Sequence, residues 1–169
     1  MMTERLDALA TRLGTLLMAR GLRLVTAESC TGGWVAKVVT DVAGSSAWFD
    51  RGFVTYSNAA KEAMLGVRAP TLEASGSVSE PVVLELVAGA LERSQAQVAV
   101  AVSGIAGPGG GSEDKPVGTV WFAWSIPDGP PWTRRLQFAG DRNEVRHQAV
   151  RFALEGLIER LAGQSRADG

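Results

Sequence analysis

Ala27-Glu28-Ser29-Cys30-Thr31-Gly32-Gly33-Trp34 is the stretch whose reading decides the fold, because it places a hydroxyl between an apolar run and a helical pattern. Leu22, Leu24 and Val25 precede it as a buried strand, about Leu22 to Thr26. Val35, Ala36, Val38 and Val39 follow with the apolar spacing of a helix that extends to about Val42. Ser29 therefore falls at a strand-to-helix turn. There a side chain projects from a rigid scaffold, and the following backbone N–H groups from Cys30 to Gly33 point at an incoming anion or oxyanion. Gly32 and Gly33, without a Cβ, let a ligand approach the main chain.

Working outward, an amphipathic helix over residues 3 to about 20 is predicted from Leu6, Leu9, Leu13, Leu16 and Leu17, and Gly21 ends it. Downstream, Trp48 to Tyr56 reads as a second strand, and Ser57-Asn58 caps a short helix carrying Lys61, Met64 and Leu65. Gly66 breaks that helix, a loop covers Ala74 to Ser79, and Glu80-Pro81 opens another helix, since proline costs nothing in a first turn. Gln97 to Val102 is the unbroken apolar run of a strand covered on both faces. A glycine-rich loop, Ser103 to Ser112, follows it. Gly118 to Ile126 and Thr133 to Phe138 pair around Pro127-Asp128-Gly129-Pro130-Pro131. Asp141 and Glu144 have capping-box spacing before the last helix. This order predicts an α/β fold, a three-layer α/β/α sandwich with a mixed, mostly parallel central sheet. Residues 1–163 are expected to form one domain and 164–169 a disordered tail.

Composition narrows the function. A chain of 169 residues, 46% of them hydrophobic, can bury one sizeable core. With 17 basic and 18 acidic residues there is no charge bias toward nucleic acid or an anionic membrane. No apolar run approaches the length of about 20 residues needed to span a bilayer, and no signal core is present, so a cytoplasmic location is the expectation. One cysteine and one histidine leave no disulfide and no soft ligand set for zinc, and neither a metal nor a cofactor is expected. Cys30 reads as a small buried residue before it reads as a reactive thiol at a helix start. The apolar run Val120 to Trp124 and five tryptophans make a homodimer one expected assembly.

Serine is a poor nucleophile until a base takes its proton. The single histidine, His147, lies on the last helix and reads as an ordinary helix residue there. Lysine is the alternative base, and Lys37, Lys61 and Lys115 are the candidates. Lys37 sits two helical turns past Ser29 and points away. Lys61 follows a strand end, and strand ends on one side of an α/β sheet are where ligand sites gather. Partial burial would supply the neutral amine that a base must be. Tyr56 reads as a proton relay, as a holder for the lysine, or as a packing residue. The loop Gly104-Ile105-Ala106-Gly107-Pro108-Gly109-Gly110-Gly111 has neither a Walker nor a dinucleotide pattern, and by itself is a surface connection or a phosphate cradle. Arg142 and Arg146, four apart on one face, are a phosphate or carboxylate clamp, or, Arg146 more than Arg142, a solvated basic face.

Three segments together, Ala27 to Gly33, Gly52 to Lys61 and Ser103 to Gly110, resemble the CinA C-terminal domain family, over about residues 5 to 163. That resemblance implies a nicotinamide-nucleotide amidase, which hydrolyses the carboxamide of nicotinamide mononucleotide to nicotinic acid mononucleotide and ammonia without a metal. It implies Ser29 as nucleophile, Lys61 as base and Tyr56 as helper. The expected partner is thus a small-molecule nucleotide. Thr31, Gly32, Gly33, Asn58, Ser103, Gly104, Gly107, Gly109 and Arg142 are the substrate-binding candidates. Many members carry an N-terminal domain resembling molybdopterin-binding proteins, and the stand-alone form is expected here. The competing readings are a nucleotide-binding module without catalysis and a Ser–Lys hydrolase of another amide.

Overall fold

Five strands and six α-helices make up the described part of the chain, residues 4–167 of the computed structural model. The first helix, α1 (Leu6–Arg20), buries Leu9, Leu13 and Leu17 along one stripe and stops at Gly21, whose φ of 64° is left-handed. β1 (Leu24–Glu28) is buried along its whole length, as is β3 (Val98–Gly104) up to its last residue. α2 (Trp34–Thr40) leads from β1 to β2 (Phe49–Val54). Then α3 (Asn58–Leu65), α4 (Ala69–Ser75) and α5 (Glu80–Glu92) lead to β3. β4 (Thr119–Ser125) and β5 (Trp132–Gln137) form the predicted hairpin, and α6 (Arg142–Ala167) closes the fold.

The sheet order is β2-β1-β3-β4-β5. β1 is parallel to both β2 and β3, and β4 is antiparallel to β3 and β5, so four of the five strands share a direction. One apolar layer joins α1, α2 and α6 to one face of the sheet, with Leu13, Val35, Phe122, Ala153 and Leu157 among its buried members. A second, centred on α5 with Val83, Leu86 and Val87, covers the other face. Each fully buried leucine or valine stabilises the fold by about 1.5–3 kcal/mol. The edge strands β2 and β5 carry Asp50, Arg51, Arg134 and Arg135, charges that discourage further strand pairing. Val120, Phe122 and Trp124 are buried inside this sandwich, so their apolar character serves the core.

Two features depart from the sequence reading. The segment after Gly66 contains α4, begun by Ala69-Pro70, where no helix is predicted. Seven residues give too short a periodicity to register. The last helix continues through residues 164–167, where a disordered tail is expected. Residues 168–169 lie outside the described residues. Among the described residues, no helix is long and apolar enough to cross a membrane.

The topology creates the site. β1 connects to a neighbour on one side and the chain then crosses to β3 on the other, so the C-terminal ends of β2, β1 and β3 open side by side at one sheet edge. α5 packs closely on the end of α3. A Cβ on Gly89 would stand 2.0 Å from the Leu65 carbonyl oxygen, so glycine there lets α5 hold α3, and Lys61 with it, against the sheet.

Candidate active site

Ser29 leaves the sheet while still bound to it, its N–H donating to Val102 O at 3.0 Å. The turn then closes on itself, with the Gly32 N–H donating to Ser29 O and the Trp34 N–H to Thr31 O. Gly32 and Gly33 take φ of 61° and 101°, which a side chain would strain. Their role is this turn. Neither lines the crevice described below. Glu28, 1% exposed, folds its carboxylate back under the turn, where it accepts from Thr31 Oγ1 at 2.6 Å, Val35 N at 2.8 Å and Ala36 N at 3.0 Å. Three donors compensate the cost of burying it, and they tie β1 to the start of α2.

Lys61 arrives from the neighbouring connection. Ser57 caps α3 by accepting from Ala60 N, as its position predicts, and Lys61 lies one residue further along. Its side chain is 1% exposed, and Nζ lies 3.0 Å from Ser29 Oγ, 2.7 Å from Thr55 O and 3.3 Å from Tyr56 O. Burial lowers the lysine from 10.5 to about 8, against a smaller opposing effect of Cys30. Burial first, then the Glu28 charge, push the Cys30 thiol up to about 12, which leaves it an inert buried residue.

Ser29, Cys30, Tyr56, Ser77, Ser103, Gly104, Ala106 and Arg142 line a crevice of ≈ 220 Å³ at the strand ends. Of the expected binding residues, Ser103, Gly104 and Arg142 are thus in place. The Ser103 hydroxyl donates to Ser77 O at 2.9 Å, and Arg142 Nη1 donates to Gly107 O at 2.7 Å, which pins the glycine loop. The remaining expected binding residues lie off that lining. The Thr31 side chain is fully buried on Glu28, and Asn58 is exposed on α3 away from the crevice. Gly107 offers its carbonyl to Arg142, and Gly109 is exposed beyond the lining. Tyr56 reaches Ser29 Oγ and Lys61 Nζ through its main-chain carbonyl, while the residue is 63% exposed at the rim, its hydroxyl 3.5 Å from Arg142 Nη2.

Sequence reasoning missed Glu28, Ser77 and the function of Arg146. Arg146 is no solvated cation: its Nε donates to Cys30 O at 3.0 Å, its Nη2 to Thr31 O at 3.3 Å, and its guanidinium lies 5.6 Å from the Trp34 ring centroid. The Glu28-x-x-Thr31 spacing before a helix was a readable signal for the buried carboxylate. Lys37 is committed to Asp41 at the surface, and Trp34 packs edge-on against His147. Among the described residues, no group of three His, Cys, Asp or Glu side chains could hold a metal.

The nicotinamide-nucleotide amidohydrolase PncC of Escherichia coli K12 is 60% identical over 161 residues, 95% of this chain and 98% of that one. PncC of Pseudomonas putida is 53% identical over 157 residues, 92% and 97% of the two chains. The crystal structure of the competence/damage-inducible protein CihA from Agrobacterium tumefaciens superposes with a TM-score of 0.90 at 48% identity, covering 94% of this chain and 97% of that one. With the CinA C-terminal domain matched over residues 6–161, nearly the span on which the three segments first suggested it, this chain belongs to the CinA C-terminal domain family.

Proposed function

We propose that the protein is a nicotinamide-nucleotide amidase that works through a Ser29–Lys61 acyl-enzyme. The observation that carries the chemistry is the 3.0 Å contact between a buried lysine and a serine at a strand-to-helix turn. As a neutral amine, Lys61 donates its two N–H bonds to the Thr55 and Tyr56 carbonyls and turns its lone pair to the Ser29 hydroxyl. It accepts the hydroxyl proton as Ser29 Oγ bonds to the amide carbon. The ammonium then returns that proton to the departing nitrogen, and ammonia leaves as the C–N bond breaks. Water, deprotonated by the same amine, adds to the acyl carbon; as the C–Oγ bond breaks, the Lys61 ammonium returns that proton to Ser29 Oγ, and the acid product leaves and ionises.

Alternation along β3 turns the N–H of Gly104 to the same side as Val102, toward Ser29. This group and the N–H groups of Cys30 and Thr31 are the oxyanion donors of this reading, since the Gly32 N–H is committed to Ser29 O. Arg142 offers its guanidinium to the substrate phosphate at the other end of the crevice, and the Tyr56 ring at the rim suits the face of a cationic pyridinium. The names of the E. coli and P. putida relatives support the substrate. Ammonia release from nicotinamide mononucleotide tests the proposal: Ser29→Ala should lose it, and unchanged release would remove the enzyme reading in favour of a binding module. A preference for unphosphorylated amides would point instead to a hydrolase of another amide.

A further inference from the structure

Arg146 stands on α6 one turn after Arg142, and its fork reaches two consecutive carbonyls of the nucleophile turn, those of Cys30 and Thr31. In a trans peptide the C=O and the next N–H point opposite ways, so fixing one fixes the other. The Thr31 carbonyl belongs to the same peptide unit as the Gly32 N–H, which donates to the carbonyl of Ser29 itself. The Cys30 carbonyl shares its unit with the Thr31 N–H. Gly32 makes room for the fork, since a Cβ there would come within 3.3 Å of Arg146 Nη2. The Trp34 ring supports the guanidinium from the side.

We infer that Arg146 is a positioning residue for the reaction: by holding the Cys30 and Thr31 carbonyls it fixes the backbone that aims the Ser29 hydroxyl and the turn's N–H groups. It touches no substrate. Arg142, one turn earlier, holds Gly107 O on the opposite wall, so the start of α6 braces both sides of the crevice. The inference rests on the Ser29–Lys61 reading, and its test does not depend on the nucleotide substrate.

A fluorophosphonate probe forms a Ser29 Oγ–P bond with loss of fluoride, the hydroxyl proton passing to Lys61, and intact mass measures the rate. Wild-type labelling should rise with pH through about 8, where Lys61 loses its proton. R146M, which keeps the aliphatic stem, should label roughly 10- to 100-fold more slowly with that inflection unmoved. R146K should fall between, and millimolar guanidinium should restore part of the rate in R146M and none in wild type. Equal rates in wild type and R146M would overturn the inference alone, as would a moved inflection, which would assign the effect to the burial of Lys61. If R146M fails to fold, wild-type rates in R146K would overturn it too, because a single cation without the fork would then suffice. Absence of labelling in the wild type, or labelling that survives in S29A, would sink the dyad reading itself.

Discussion

Lys61 Nζ and Ser29 Oγ sit 3.0 Å apart although 32 residues separate them in sequence. Their strands are parallel neighbours, so the connections leaving β1 and β2 open together, and the closed turn on one side and the Ser57-capped helix on the other fix both ends.

The pH dependence of turnover follows from the lysine. Its conjugate acid is unreactive as a base, and burial brings its pKa to about 8. The kcat/KM for ammonia release from nicotinamide mononucleotide should therefore rise with pH, inflect near 8 and level off above. Lys61→Arg, a cation that does not deprotonate, should lose at least about 1000-fold. A flat profile between pH 6 and 9 would contradict the assignment.

The same burial costs stability. Between pH 8 and 10.5 the unfolded chain holds a proton that the folded one has released, so this group's contribution to stability improves as pH rises through that window. Below pH 8 both states are charged and the full cost, roughly 3 kcal/mol, applies. Lys61→Met should abolish turnover without lowering the melting temperature at pH 7, and it should flatten the stability profile from pH 8 to 10.5. Differential scanning calorimetry at several pH values reads both effects.

Glu28 predicts a destabilisation of the opposite kind. Glu28→Gln turns one of the two carboxylate oxygens into an NH₂ group, so either the Val35 N–H or the Ala36 N–H, which bond to different oxygens, faces a donor and loses its acceptor. The loss expected is about 2–4 kcal/mol in denaturant unfolding. Thr31→Val removes a single donor from that carboxylate and should cost about 1–2 kcal/mol.

How much of this was legible beforehand depended on distance along the chain. Ser57 on Ala60 N, the reciprocal Asp141 and Glu144 bonds, and the strands flanking Ser29 are local, and composition and spacing exposed them. Lys61 emerged as the partner of Ser29 because few bases were available. Arg146 and Cys30 are 116 residues apart, and no local pattern announces a guanidinium on a distant carbonyl. Tyr56 was readable as a residue but not as a backbone acceptor, because nothing in a side chain's chemistry says that its main chain will do the work.

Tyr56 gives a direct check on that placement. With the carbonyl at the dyad and the phenol at the rim, Tyr56→Phe should keep kcat within about threefold and leave the pH inflection in place, whereas Tyr56→Ala should raise KM. A loss of kcat in Tyr56→Phe as deep as that of Lys61→Arg would return the hydroxyl to the proton path.

In the proposed mechanism both reacting groups, Ser29 and Lys61, come from the first part of the chain, whereas Ser103, Gly104 and Arg142 in the same crevice come from much later. Substitutions at Ser103 or Arg142 can therefore recast which amide is admitted without touching the Ser29–Lys61 contact itself.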